Sequence, residues 1–240
     1  MKTYGLSDIG KIRPVNEDSY YLPKDGEKFA IVADGMGGHR AGEIASALAV
    51  EIFAQRLSQA PYASEITMLE AVSAANRAVY EAAMSDRARY GMGTTLTAIW
   101  FGDTRAFMSH IGDSRAYLFR NNVLMQMSND HSLVNELIEK GEITPSEARV
   151  HPKRNIITRA IGTDKRVVAD TMIINLEPND TWLLCTDGLT NYLRDSDLLD
   201  IMKLPVSCED KLRRMVDLAL SRGGSDNITA VFAVNEEAGS

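Results

Sequence analysis

Thiols are nearly absent from this chain: Cys185 and Cys208 are its only cysteines in 240 residues. Two thiols cannot supply a disulfide framework or a thiolate zinc cluster. Cys185 lies inside the apolar run TWLLCT, where a reduced core residue is the simplest reading. No apolar run approaches the ~20 residues that a membrane span requires. A basic excess is missing as well. Lys and Arg number 26 against 33 Asp and Glu, a formal charge of −7, which argues against a duplex nucleic-acid binder. The opening MKTYGLSDIG has no h-region and no small-residue cleavage site. The expectation is a cytoplasmic protein with no membrane and no nucleic-acid partner.

Several hydrolase signatures are missing too. The sequence contains neither H-E-x-x-H nor G-x-S-x-G. Six residues after Cys185 stands Asn191, where the cysteine-phosphatase loop needs arginine. In DSDLL, Leu199 replaces the Thr or Val that completes an aspartyl-phosphate motif, so Asp195 and Asp197 read as helix-capping residues. The glycine-rich stretch DGMGGHRAG lacks the lysine of a nucleotide-phosphate loop. Counted from Gly35, the last glycine of a dinucleotide fingerprint falls on Arg40.

What is present are short apolar runs of strand length: FAIVA, TTLTAIWF, AFMSHIGDSRAYLF, VLMQM, TWLLCT and ITAVFAV. RAYLFRNNVLMQM reads as a hairpin around Asn121-Asn122, and AIWFGDTRAFMSH as another near Gly102-Asp103. Hairpins imply antiparallel sheets. Over residues 41–59 an apolar stripe of Ile44, Leu48, Ile52, Phe53 and Leu57 predicts a helix. Over 64–85, Leu69, Val72, Val79 and Ala83 predict a second, with Asn76 the polar member of its face. SLVNELIEK, ended by Gly141, and EDKLRRMVDLALSR, ended by Gly223-Gly224, predict two more. The reading is one α+β domain over residues 1–236, in layers, with a frayed tail at 237–240.

The chemistry lies in acids at strand ends. FAIVA runs into Asp34-Gly35, TWLLCT into Asp187-Gly188, and ITAVFAV begins just after Asp226-Asn227. If the last strand opposes the other two, the three aspartates share a rim, and Glu17 and Asp18 open another strand-like run. Two carboxylates about 4 Å apart repel by roughly 4 kcal/mol at an effective dielectric of 20, so such a rim binds protons or metal. Oxygen donors without His or Cys select magnesium or manganese. Glycine after Asp34 and after Asp187 lets the backbone turn and offers its carbonyl. Each Asp-Gly taken singly is an ordinary turn, and spacing alone leaves turn and metal site both open.

Seven segments in order narrow this: GLSDIGKIRPVNEDSYY, VADGMGGHRAGEIAS, GMGTTL, HIGDSRAYLFR, DHSLVNELIEKGEIT, LLCTDGLTNYL and GGSDNITAVFAV. Together they resemble the short bacterial form of the metal-dependent protein serine/threonine phosphatases, the PPM or type 2C family. The resemblance implies a sandwich of two antiparallel β-sheets flanked by helices, with a centre of two Mn2+ or Mg2+ ions at one edge. It implies that Asp34 bridges the ions, that Asp187 and Asp226 complete the first site, and that Glu17 and the Gly35 carbonyl hold the second. Asp18 matches an acid that contacts metal-bound water, and Arg13 matches the arginine that grips phosphate.

The resemblance further gives Asp113 to a weaker third ion with Asp187; a buried ion pair with Arg115 is the other reading of that acid. Relatives place a further acid four residues after Asp187, where this chain has Asn191. Many eukaryotic members carry a histidine at the position of Met36, and His39 is the candidate proton donor in its place. Residues 132–159 correspond to a variable flap that meets the substrate protein. The implied partners are phosphoserine and phosphothreonine proteins and an opposing serine/threonine kinase, met by a monomer. A phosphopeptide-binding pseudophosphatase and a hydrolase of other phosphoesters are the competing readings.

Overall fold

Several strands of this chain are apolar on both faces, so a single covering layer cannot bury them. In the computed structural model, which describes residues 1–24, 26–37 and 41–236, the second layer comes from another sheet. The first third of the chain forms β1 (Lys2–Asp8), β2 (Asp18–Tyr21), β3 (Phe29–Met36), α1 (Ala41–Ser58) and α2 (Glu65–Ser85). Five strands follow: β4 (Gly93–Thr94), β5 (Leu96–Phe101), β6 (Arg105–Ile111), β7 (Arg115–Arg120) and β8 (Val123–Gln126). Then come α3 (Leu133–Glu139), α4 (Pro145–Arg149), β9 (Asp170–Asn175) and β10 (Thr181–Cys185). The chain closes with α5 (Asp187–Thr190), α6 (Asp195–Met202), α7 (Cys208–Ser221) and β11 (Ile228–Val234).

One antiparallel sheet has the order β1-β11-β10-β7-β8, and the other β2-β3-β5-β6-β9, with β4 paired to β3. Strand alternation assigns the faces. Phe29, Ile31 and Ala33 of β3 pack against α1 and α2, while Ala30 and Val32 point into the space between the sheets. There they meet Ala116, Leu118, Trp182, Leu184, Val231 and Ala233 of the other sheet. Ile228, Ala230 and Phe232 of β11 face outward onto the α5–α7 side. The result is the expected helix–sheet–sheet–helix stack. No described helix is long and apolar enough to cross a membrane.

Both predicted hairpins form. Asn121 and Asn122 take φ of 52° and 63° between β7 and β8, the left-handed pair that a two-residue turn requires. The α3 helix is capped by Ser132 and followed by Gly141 at φ 72°, and Gly223-Gly224 close α7 as expected. Cys185 is a free, buried core residue.

Four expectations need correction. AFMSHIGDSRAYLF is two strands in different sheets, broken at Gly112-Asp113-Ser114, because β7 must leave the sheet of β6. The buried face of α1 is its small-residue side, Ala41, Gly42, Ala45, Ala49 and Ala54 with Val50, Phe53 and Leu57, while Ile44, Leu48 and Ile52 are only partly covered. Small side chains let this helix lie close on β3. Leu69 of α2 is exposed, and Met68 takes its place inside. Strands β1 and β9 were not anticipated, since neither KTYGLSD nor DTMIIN forms a run as apolar as the central strands.

The segment 132–159 carries α3 and α4, the latter opened by a capping box between Thr144 and Glu147. Its two roots meet at β9. Arg159 donates to Asp170 at 2.7 Å, and His131 Nε2 lies 3.1 Å from the same carboxylate.

Candidate metal centre

Topology brings the acids together from both sheets. Asp18 and Asp34 stand opposite each other in the β2–β3 register, so their side chains share a face. Glu17 immediately precedes β2. In the other sheet, Asp187 opens α5 two residues past the end of β10, and Asp226 stands two residues before antiparallel β11, so the two meet at one edge. Asp113 lies in the β6–β7 break. Gly35 and Gly188 are needed for a reason other than the expected turn, for neither has a positive φ. A Cβ on Gly188 would sit 1.8 Å from the Asn227 carbonyl oxygen, and one on Gly35 would sit 2.1 Å from that of Gly42. Backbones touch at both places, and this contact holds the acidic loops together.

A layer of hydroxyls and one amide positions the acids. Thr95 Oγ1 accepts from the Asp34 N–H at 2.8 Å and meets Ser114 Oγ at 2.7 Å. Thr94 donates to the Asp34 carbonyl at 2.8 Å. Thr186 donates to Asp18 Oδ2 at 2.9 Å. Buried Asn227 accepts from the Glu17 N–H at 2.8 Å and donates to the carbonyls of Ile9 and Val15 at 2.9 and 3.0 Å. It thereby pins the loop that carries Arg13 and Glu17 to the start of β11. Sequence reasoning gave none of these residues a role. Their signal was a Thr or Asn beside an acid or within a shared segment, which only the folded contacts make specific.

The electrostatics are those of crowded like charges. Burial, reinforced by Asp187 and Asp226, pushes the Asp18 carboxyl up to about 7, against the hydroxyls of Thr229 and Thr186 that favour its charge. Asp34 is raised well above the usual range by burial and then by Asp18, Asp187, Asp113 and Asp226. Burial and Asp187 do the same to Asp113, and burial and Asp226 raise Asp187. Glu17 is raised by burial despite Arg13.

Arg13 is half exposed and donates to Asp226 Oδ2 at 2.9 Å, with Glu17 3.9 Å away. Arg115 is not the partner of Asp113. It forms a bidentate pair with Asp130, the shortest contact 2.6 Å, and donates to Tyr117 Oη at 3.1 Å. That removes the ion-pair reading of Asp113. Asn191 donates to Asp187 Oδ2 at 3.0 Å, so the residue replacing a third acid occupies one oxygen of its neighbour. Met36 ends β3. His39 lies outside the described residues.

These residues fit hard divalent cations. The donors are carboxylate and carbonyl oxygens throughout. Asp18 Oδ1 is buried without any hydrogen-bond partner among the described residues, a costly state for a carboxylate oxygen that a nearby cation would relieve. Asp18, Asp187, Asp113 and Asp226 all crowd Asp34 and raise its carboxyl, a cost that a cation among them would relieve. Among the described residues no three acids, histidines or cysteines already form a closed coordination shell. The fit therefore rests on donor chemistry and charge.

Known proteins resemble this chain in sequence and in fold. Residues 13–231 match the family model described as protein phosphatase 2C. The chain is 40% identical to the serine/threonine phosphatase Stp of Listeria welshimeri, over 94% of this chain and 92% of that one. The structure resembles the crystal structure of the Mycobacterium tuberculosis serine/threonine phosphatase PstP/Ppp, with a TM-score of 0.92, 38% identity, and coverage of 98% and 99% of the two chains. It also resembles the catalytic domain of PstP in complex with two manganese ions, with a TM-score of 0.89, 36% identity, and coverage of 98% of each chain.

Proposed function

The chain belongs to the protein phosphatase 2C family, and from that premise we propose how its rim hydrolyses phosphoserine and phosphothreonine on proteins. It is a protein serine/threonine phosphatase. Asp34 would be shared between two ions, with Asp187 and Asp226 on one side and Glu17 and the Gly35 carbonyl on the other. When bound, the ions would activate a water for in-line attack and offset charge on the phosphoryl group. Manganese is the favoured metal, with magnesium chemically equivalent in donor preference, and the manganese complex of the PstP catalytic domain supports this. Asp113 would hold a weaker third ion with Asp187, in competition with the Asn191 amide.

The remaining work falls to this chain's own side chains. Arg13 exchanges its carboxylate contact for phosphate oxygens, which match its planar fork. Asp18, held by Thr186, would orient water beside the ions, whose charge would draw its raised carboxyl back down. His39 is proposed as the proton donor to the leaving seryl or threonyl oxygen. No covalent phosphoenzyme is needed, and no nucleophilic cysteine faces the rim, Cys185 being sealed in the core with its thiol pushed up to about 12 by burial. All the acids come from one chain, which supports a monomer as the working unit, set against a serine/threonine kinase.

The observation that carries this mechanism is the set of crowded, largely half-buried carboxylates with, among the described residues, one guanidinium against them. Phosphate release from a phosphothreonine peptide, in manganese and in EDTA, tests it with the parent protein and Asp34→Asn. Turnover confined to manganese and lost in the variant is expected. Absence of turnover with any divalent metal, from folded protein that still binds phosphopeptide, would overturn the reading in favour of a binding module.

A further inference from the structure

A groove of about 760 Å³ runs from the rim along the flap, and its two ends differ in charge. Asp113, Asp187 and Asn191 line the end that belongs to the metal centre. The other end lies between the flap helices α3 and α4 and the start of α6, and it is lined by Arg149, Arg154 and Arg194. Arg115 is held by Asp130 at 2.6 Å and Arg222 by Asp197 at 2.6 Å. Asp195 accepts from the neutral Tyr117 Oη at 3.2 Å and is, among the described residues, the one unpaired acid beside three unpaired arginines there. Arg149, Arg154 and Arg194 have no side-chain hydrogen bond or ion pair among the described residues, and all three are exposed. The far end of the groove is thus a cationic surface on a protein whose net charge is −7.

We propose that this end of the groove reads acidic residues flanking the phosphoresidue of the substrate protein, with Arg149, Arg154 and Arg194 as its specificity-determining residues. The inference rests on the phosphatase function above. A phosphoryl group seated at Asp34 and Arg13 leaves its own polypeptide to continue along one of the open paths from the rim. The groove is continuous with the rim through Asp113 and Asp187, so a flanking segment can enter it without leaving the surface. Exposed guanidinium groups bind Asp and Glu carboxylates through paired N–H donors. Flanking lysines would face like charge there. Two of the arginines sit on the flap and one immediately before α6, so a bound segment would bridge positions 40 or more residues apart in the chain.

The test uses phosphothreonine peptides with three Glu, three Ala or three Lys on one side of the phosphoresidue, and a second set on the other side. The readout is the kcat/KM ratio between peptides within each enzyme, so loss of catalysis in general cannot imitate loss of selectivity. The parent protein is expected to prefer Glu over Ala by about tenfold on one side, as three partly screened ion pairs allow. The preference should fall towards unity in the Arg149→Ala/Arg154→Ala/Arg194→Ala variant and at 0.5 M salt, while Arg77→Ala, an exposed arginine on α2, retains it. Equal rates for Glu, Ala and Lys peptides in the parent protein, or a Glu preference that survives the triple variant, would overturn the proposal. Failure of the phosphatase function itself would look different: no peptide, and no p-nitrophenyl phosphate, would be turned over.

Discussion

Strand β10 has an aspartate at each end, one buried and one half-buried, and the fold treats the two in opposite ways. Asp180, just before the strand, is fully covered. It accepts from Arg120 at 2.7 and 2.6 Å and from the Glu177 N–H at 2.9 Å. Asp187, just after it, accepts from the Asn191 amide and faces Asp34 and Asp226. The first acid is neutralised by an arginine and needs nothing more. The second sits among like charges, and among the described residues no arginine pairs with it; Arg13 contacts Asp226 and, more distantly, Glu17. One end is paired within the fold, and the other is the end proposed to hold metal. A covered acid therefore becomes a candidate metal ligand only when its cationic partner is missing; an acid held by arginine, as Asp180 is, does not.

The strongest way to break this contrast is at the rim. Asp34→Asn should lower kcat on the order of a thousandfold in saturating manganese, yet raise the melting temperature in EDTA, because it removes a charge the fold holds at a cost. A variant less stable than its parent in EDTA would show that Asp34 is structural after all. At the other end, Arg120→Ala should cost about 3–5 kcal/mol in urea unfolding by stranding Asp180. Replacing both partners together, as Arg120→Met/Asp180→Leu, should restore most of that loss. If Arg120→Ala costs less than about 1 kcal/mol, Asp180 is not held as described.

Smaller effects sharpen the comparison. Asn227→Ala frees the loop bearing Glu17 and Arg13 and should weaken manganese affinity by about 10–100-fold, as outer-layer positioning residues do. Titration calorimetry reads this directly, and unchanged affinity would place Asn227 outside the metal centre. The smallest effect is a pH dependence. Asp18 has a raised carboxyl, about 7 against 3.8 for an unperturbed aspartate, so the folded protein binds the proton more tightly than the unfolded chain. Its contribution is present below about 4 and is lost as pH rises towards 7. His110, pulled down to about 4 by burial and then by His131, has the opposite slope over part of this range. The clean measurement is thus a difference. In EDTA, Asp18→Asn should gain melting temperature relative to the parent as pH rises from 4 to 8. A constant difference would mean that Asp18 is not protonated in the metal-free fold.

Much of the site was legible in the chain. Asp34, Asp187 and Asp226 each stand beside an apolar run, a placement that periodicity alone locates, and Glu17 and Asp18 open a fourth. The spacing of these acids did not separate metal site from plain turns. That separation came from the order of seven segments along the chain, and afterwards from the register that opposes Asp18 to Asp34. The glycines were legible as special, but the turn was not what requires them, since close backbone approach leaves no local mark in the sequence. The ion pair first weighed for Asp113 failed similarly: Arg115 is two residues away along the chain, yet its side chain turns to Asp130.

What the sequence by itself determined was the inventory: which strands are apolar on both faces, where helices stop at glycine, and which acids sit at strand ends. These are local facts, fixed by periodicity, left-handed turn geometry and the chemistry of single residues. Only the tertiary structure decided which face of α1 is buried, which acids share a space, and which of them are matched by an arginine. Those outcomes depend on contacts between Asn227 and Glu17, Thr186 and Asp18, or Arg120 and Asp180, pairs separated by 60 to 210 residues. The energy of a buried charge is set by its neighbours in space, and a linear chain does not list them.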